Sequence, residues 1–217
     1  LPIGPLGRRY LPSAIGAGLI DADSAVAALA LPPTVTIVNP PAADSNQTRP
    51  AIGFTANRRA TFTCSLDGAS ATPCSSPFIP TASLADGGHE FKVTATDAAS
   101  RSGTATARFT VDTISPVAKF AKHPKALVRT RKKAVKLSFR VTSSEANSTF
   151  MCKVDKDKFA PCTAKFAKRF KLGKHAVRAE AIDAAGNVGG PAVFRFRVEK
   201  VRPKHGKHPG GRHRGHG

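Results

Sequence analysis

Apolar residues along much of this chain keep to every second position, with polar residues between them. In the first half the runs are Val35 and Ile37; Ile52, Phe54 and Ala56; Phe62, Cys64 and Leu66; Phe91, Val93 and Ala95; and Ala107, Phe109 and Val111. A period of two predicts β-strands that bury one face and leave the other in water. Turn residues such as Asp67-Gly68 and Asp86-Gly87-Gly88 separate the runs. We therefore expect an all-β fold, with about seven short strands in roughly 80 residues packed as an antiparallel sandwich.

The pattern occurs twice, because the second half of the chain repeats the first. Phe62 to Phe78 returns 88 residues later as Phe150 to Phe166, with both cysteines in equivalent places. After a two-residue deletion the match resumes through the next turn and strand. Each copy is large enough to bury a core of its own. The sequence therefore predicts two tandem β-sandwiches of the immunoglobulin-like or fibronectin-III-like kind, over residues 32–112 and 117–199.

The segments outside the two copies differ from them in composition. Residues 1–31 are expected to be the remnant of a preceding domain that ends in a short helix, and their prolines and aspartates argue against a membrane span. Residues 200–217 are rich in Gly, Pro, His, Lys and Arg, so we expect a disordered basic tail. Val111 to Pro116 is a short boundary that ends in proline, which predicts restricted freedom between the modules.

Four cysteines fall in two pairs, one in each copy. Their equal spacing predicts two local disulfide bonds, Cys64 with Cys74 and Cys152 with Cys162. Closing so short a loop stabilises a fold by about 3 kcal/mol in the chain-entropy model. Disulfide bonds persist in oxidising compartments, so we expect a secreted or cell-surface protein. Buried free thiols or a metal site are the alternatives, although structural zinc sites usually show closer cysteine spacing.

Charge distinguishes the two copies. The chain carries a formal net charge of +20. Residues 32–112 hold six basic and six acidic residues, whereas residues 113–199 hold twenty basic and six acidic. Many added cations alternate with the apolar residues, so the core pattern is preserved while the outer faces become basic. This asymmetry predicts a polyanionic partner for the second copy, and a role in solubility is the alternative.

The candidate polyanion-binding residues are Lys132, Lys133, Arg140, Lys168, Arg169 and Lys171. We expect them to contact an anionic envelope polymer or an acidic glycan through mobile, salt-sensitive interactions. Nucleic acid is disfavoured because export is expected, few aromatic residues are available and recognition motifs are missing. No cofactor is implied, and we expect a monomer.

A histidine and an aspartate recur at equivalent positions of the two copies, and each residue type could serve catalysis or metal binding. His89 and His175 lie at the same turn-to-strand position, so a structural role is favoured over catalysis. Asp97 and Asp183 each follow a strand, and an Asx-type turn is favoured over a calcium site because no cluster of further carboxylates accompanies either.

The tail adds four weak metal-ligand candidates, His205, His208, His213 and His216. Neutral imidazoles bind transition metals, but the adjacent Lys and Arg side chains oppose a dication. We therefore expect a flexible polycation there and assign no metal.

Three short motifs in the two copies also occur in other proteins. They are Phe62 to Gly68, Cys74 to Pro77, and Ala181 to Asn187. Together they resemble bacterial Ig-like modules of secreted and cell-surface proteins. The resemblance covers nearly Pro33 to Glu199. It implies a β-sandwich that serves as a spacer, an adhesion unit or a substrate-proximal appendage.

The segment Gly16 to Leu29 combines a Gly-x-Gly turn with a predicted helix that begins at Asp21. It resembles the closing segment of subtilisin-like serine peptidase domains. That resemblance implies the noncatalytic C-terminal part of a secreted serine endopeptidase, held near its protein substrate or the cell envelope. The chain contains no Gly-Thr-Ser nucleophile turn and no His-Gly-Thr motif, so we assign no catalytic residue. The competing hypothesis is a cell-surface adhesion or spacer protein whose basic module binds anionic polymers.

Overall fold

The computed structural model describes residues 31–201, and its regular elements there are all β-strands. The first module contains β1 Val35–Asn39, β2 Asp44–Ser45, β3 Gly53–Ala56, β4 Thr61–Leu66, β5 Thr72–Pro73, β6 Gly87–Thr96 and β7 Ser102–Val111. The second contains β8 Ala118–Lys122, β9 Leu127–Thr130, β10 Ala134–Ser143, β11 Thr149–Val154, β12 Ala160–Cys162, β13 Lys165–Lys171, β14 Gly173–Ile182 and β15 Ala192–Lys200. The expected all-β class is confirmed. The helix expected before residue 31 and the tail beyond residue 201 lie outside the described residues.

Each module packs a small sheet against a five-stranded sheet, so the expected pair of sandwiches is confirmed. In the first module β1 pairs with β3, and the larger sheet has the order β2-β7-β6-β4-β5. In the second, the small sheet has the order β13-β10-β8 and the larger one β12-β11-β14-β15-β9. Two pairings depart from the antiparallel expectation, because β2 with β7 and β9 with β15 run parallel. Within residues 31–201 no helix long and apolar enough to cross a membrane occurs.

The inward residues of the alternating pattern form the cores. The buried cluster of the first module consists of Ile52, Phe54, Cys64, Phe91, Val93, Phe109 and Val111. The main cluster of the second consists of Phe139, Phe170, Val177, Phe196 and Val198. Phe139 is its centre, with the rings of Phe166 and Phe170 at centroid distances of 5.3 and 5.9 Å. Since burying one such side chain contributes about 1.5–3 kcal/mol, this aromatic cluster is a main source of stability for the second module.

Strand β13 is the main structural difference between the modules. It pairs with β10 from Ala134 opposite Lys171 to Arg140 opposite Lys165. In the first module the corresponding contact is a single bridge between Ile52 and Phe78. The small sheet of the second module is therefore wider, and the added strand is basic.

Both disulfide bonds are present in the structure. Cys64 is joined to Cys74 with the Cα atoms 5.8 Å apart, and Cys152 to Cys162 with the Cα atoms 5.7 Å apart. Each bond ties the outermost hairpin of a five-stranded sheet together, β4 to the end of β5 and β11 to β12. The bonds therefore secure a sheet edge and do not join the two sheets.

Two glycines hold the segment that leads into each module. A Cβ atom at Gly103 would overlap the carbonyl oxygen of Pro33, and one at Gly189 would overlap that of Pro116. Both prolines are fully buried. The incoming backbone therefore lies directly against a glycine in both copies, at positions related by the repeat.

Replacing Gly189 by alanine is expected to lower the free energy of unfolding by about 1–3 kcal/mol, because the new methyl group must displace a buried backbone segment. Gly190→Ala is a matched control, since a Cβ atom there meets nothing within 4 Å. Denaturant unfolding of both variants checks this. Equal stability of the two variants would contradict the proposed close contact.

Candidate polyanion-binding site

The small sheet of the second module presents a strongly basic outer surface, which we call the cationic face. It comprises the outward residues of β8, β10 and β13, of which the exposed cations are Lys119, Lys122, Lys136, Arg140, Lys165, Arg169 and Lys171. These three strands contain no Asp and no Glu. The face therefore has positive charge without any negative charge of its own.

Strand register places like charges directly opposite one another. Arg140 on the central strand lies between Lys165 on β13 and Lys122 on β8. Further along, Lys136 lies opposite Arg169. None of these cations forms an ion pair within residues 31–201. Like charges at facing positions destabilise a sheet, so this arrangement opposes folding and the core must offset it.

Between these two cation rows the surface is lined by small side chains. Ser138 lies opposite Ala167, and both are exposed. Successive outward residues on one strand are roughly 7 Å apart, so a row of long cationic side chains rises on each side of this pair. A shallow depression results, and its lining residues are Lys122, Ser138, Phe139, Arg140, Lys165, Phe166 and Ala167.

The first module lacks an equivalent surface. Its small sheet, β1 with β3, contains no charged residue. On its larger sheet, Glu90 lies opposite Arg108 and forms an ion pair with it at 2.6 Å. At the corresponding positions of the second module, Ala176 faces Arg195, which has no ion-pair partner in the described part of the chain. The second module therefore has more cations, and Arg195 lacks the facing carboxylate that neutralises Arg108 in the first module.

Three of the six predicted binding residues lie on the cationic face: Arg140, Arg169 and Lys171. Lys168 does not, because it pairs with Leu137 and has the inward parity of the core residues of its strand. It is nevertheless exposed, which its position on the outermost strand of the small sheet allows.

Lys132 and Lys133 lie in the turn between β9 and β10. The backbone N–H of Lys132 donates a hydrogen bond to Oγ1 of Thr130 at 3.1 Å. Lys133 directly precedes Ala134, which is paired with Lys171, so both lysines border one end of the cationic face.

Lys122 and Lys165 belong to the face but were not among the predicted residues. Each is the terminal residue of its strand, and neither strand shows a clean alternation in sequence. Only the register, which sets both opposite Arg140, reveals them as neighbours.

His89 and His175 each bridge a turn and a strand. Nδ1 of His89 lies 2.7 Å from Oδ2 of Asp67, and Nε2 lies 2.9 Å from the carbonyl oxygen of Ala85. His175 repeats this with Asp155 at 2.8 Å and the carbonyl oxygen of Lys171 at 3.0 Å. Carboxylate and carbonyl oxygens only accept hydrogen bonds, so both ring nitrogens of His89 donate when its imidazole carries the second proton. In the second module this contact also fixes the end of β13.

The pKa of His89 follows from these contacts. Burial alone would lower it, but the hydrogen bonds to Ala85 and Asp67 raise the pKa of His89 above its ordinary value. Burial would likewise raise the pKa of Asp67, and its hydrogen bonds from His89 and the Glu90 backbone hold it below its ordinary value. The pair is therefore charged on both sides over the mildly acidic range.

Asp97 and Asp183 form the expected side-chain turns. Oδ1 of Asp97 accepts hydrogen bonds from the backbone N–H groups of Ala99 and Arg101 at 3.0 and 3.1 Å. Oδ1 of Asp183 accepts one from the backbone N–H of Asn187 at 2.8 Å. These contacts give both carboxylates a structural role.

The expectation that no further carboxylates lie near Asp183 is wrong. The fold brings Asp112 and Glu145 next to it, with carboxylate oxygens of all three within 4.8 Å of one another. Burial and the charges of Asp112 and Asp183 raise the pKa of Glu145. Asn187 also donates a hydrogen bond from Nδ2 to the carbonyl oxygen of Asp112 at 2.7 Å, which ties the inter-module linker to the second module.

The similarity of this chain to known proteins is low. No family model matches this chain, and no curated protein matches it. Among solved structures, the fibronectin(III)-like modules of Clostridium thermocellum CbhA are 18% identical, with a TM-score of 0.47 over 81% of this chain and 99% of theirs. A Ca²⁺-stabilised adhesin with which an Antarctic bacterium binds ice is 16% identical, with a TM-score of 0.41 over 77% of this chain and 49% of the adhesin. These comparisons give no support for a link to a subtilisin-like peptidase.

The contact between His89 and Asp67 predicts a pH dependence of stability. A raised folded-state pKa means that the stabilisation is fully present below the ordinary histidine pKa of about 6.5 and is lost as the pH rises through the folded-state pKa. His89→Gln should remove this loss for the first module. His123→Gln is the control, because His123 contacts only the carbonyl oxygen of Pro124 through its ring nitrogens. The free energy of unfolding, measured from pH 5.5 to 9, tests this prediction. If it changes with pH in the same way for wild type and His89→Gln, the prediction is wrong.

Proposed function

We propose that this chain is a noncatalytic, extracellular pair of β-sandwiches whose second module attaches the protein to an anionic polymer. The observation that carries the proposal is the cationic face, on which facing strands bear like charges with no carboxylate between them. The candidate partner is an anionic polymer or acidic glycan of a cell envelope. In this account the first module acts as a spacer, since its small sheet is uncharged.

The placement of the cations favours binding over a general role in solubility. Solubility depends on net charge, and cations scattered among acidic neighbours provide it without repulsion across strands. Here Arg140 is flanked by cations on both sides, which weakens the sheet. A polyanion laid over the face would neutralise these charges and relieve the repulsion. Binding and folding of this module would therefore favour each other.

The chemistry of the face is suited to binding and not to catalysis. Its outward residues are Lys, Arg, Ser, Thr and Ala, without a histidine or carboxylate that could act as a general base. The two disulfide bonds favour an oxidising, extracellular compartment. The linker contacts support a spacer role, because Thr113 donates hydrogen bonds to Asp86 of the first module while Asn187 holds Asp112.

A second candidate function comes from the sequence of Gly16 to Leu29, which resembles the end of a subtilisin-like peptidase domain. In that case the two modules would hold a serine endopeptidase near a protein substrate or at the cell envelope. The segment lies outside the described residues, so this candidate stays a prediction from sequence. It is compatible with polymer binding by the second module.

The proposal predicts that single lysines contribute unequally to retention on a polyanion column. Lys136→Ser should elute the full chain at lower salt than wild type, because Lys136 lies on the cationic face. Lys92→Ser is the matched control, an exposed outward lysine on β6 of the first module. Removing one cation that neutralises a phosphate should reduce the slope of log affinity against log salt by about one. Coelution of the two variants, or no retention of the wild type at low salt, would contradict the proposal.

A further inference from the structure

We propose that the depression at Ser138 and Ala167 is the seat of a phosphate group belonging to a linear polymer that carries phosphates along its backbone and no nucleobases. This inference rests on the proposed function and adds the binding position and the class of polymer. The rest of the polymer would follow the cation rows on either side of the depression.

The depression has cations in its lining and a hydrogen-bond donor at its base. The lining cations are Lys122, Arg140 and Lys165. On the other side of Ser138 and Ala167, the pair Lys136 and Arg169 lies one outward position further along the two strands, beyond the lining. The hydroxyl of Ser138 lies between these two sets of cations and can donate to an anion. Because the base consists of serine and alanine, an anion can approach the sheet more closely here than anywhere a long side chain stands.

A tetrahedral phosphate fits this two-sided arrangement better than a carboxylate. Its oxygens point in several directions, so one group can accept hydrogen bonds from cations in both rows. Arg140 is at the centre of its row, and a guanidinium binds phosphate oxygens in a bidentate manner. A carboxylate has two oxygens on one side of its carbon and satisfies one row at a time.

The spacing of the cations favours a polymer with frequent charges. Neighbouring strands lie about 4.8 Å apart, so the row through Arg140 offers three cations within roughly 10 Å. A backbone phosphate polymer supplies charges at a comparable spacing. The outward residues of the three strands include no aromatic ring. The two phenylalanines in the lining of the depression, Phe139 and Phe166, already stack on each other at 5.3 Å, which disfavours base stacking by single-stranded nucleic acid.

The core beneath the depression keeps its geometry fixed. Phe139 and Phe166 lie opposite each other on the inner side of the same two strands, and their rings stack at 5.3 Å with an interplanar angle of 17°. The carbonyl oxygen of Lys171 is bound by His175, which fixes the far end of β13. A site supported by regular strands and packed rings is preorganised for its ligand.

Two alanine-to-glutamate variants of the full chain test the position of the site. Ala167→Glu places a carboxylate in the base of the depression. Ala176→Glu changes the net charge by the same amount. It places the new carboxylate opposite Arg195 on the larger sheet, as Glu90 lies opposite Arg108 in the first module. Affinity for long-chain inorganic polyphosphate should fall about tenfold or more in the first variant and less than about threefold in the second.

The possible outcomes separate this inference from the proposed function. If the wild type binds neither polyphosphate nor heparin at low salt, the proposed function fails. If it binds and both variants weaken binding equally, attachment to polyanions stands and the depression is not the site. If heparin or single-stranded DNA binds more tightly than polyphosphate at equal ionic strength, the phosphate polymer is the wrong class.

A second pair of variants tests the site if circular dichroism shows that Ala167→Glu does not fold. Arg140→Gln and Arg195→Gln remove one exposed cation each, from the cationic face and from the larger sheet respectively. We expect the loss of polyphosphate affinity only for Arg140→Gln. Equal affinities would overturn the inference.

Discussion

The alternation of inward and outward residues along each strand is the constraint on which the rest of this structure depends. It assigns the core and the surface to different residues of the same strand, so one can change while the other is kept. Phe139 lies in the core between the outward residues Ser138 and Arg140. The two modules therefore share a buried architecture while one presents a neutral small sheet and the other a cationic face.

The cationic face combines a cost in stability with a capacity to bind. Arg140, Lys165 and Lys122 repel one another across three strands, and the aromatic cluster around Phe139 offsets that repulsion from the other side of the sheet. The cationic face also depends on the extra strand β13, because in the first module only a single bridge occupies the corresponding place. A polyanion supplies the missing negative charge. The proposed function is therefore the binding of a polymer that neutralises the positive charge of the cationic face.

Sequence patterns predicted the parts of the fold that local alternation determines. The strands around Phe91, Phe139 and Phe196 follow from it, and the repeat predicted two modules. It did not predict β13, because Lys168 occupies an inward position of an outermost strand. The residues of the site likewise fall into those that local sequence predicts and those that it does not. Arg140 was predicted, whereas Lys122, Lys165 and the grouping of Asp112, Glu145 and Asp183 depend on contacts between distant segments, which only the register and the linker path reveal.

Amide hydrogen exchange with and without long-chain polyphosphate can locate the binding surface in this protein. It reports local protection strand by strand in the intact chain. We expect slower exchange in β8, β10 and β13 when polyphosphate is bound, with little change in β4, β6 and β7 of the first module. Protection that is equal in both modules, or confined to the larger sheet of the second, would contradict the claim that the cationic face is the binding surface.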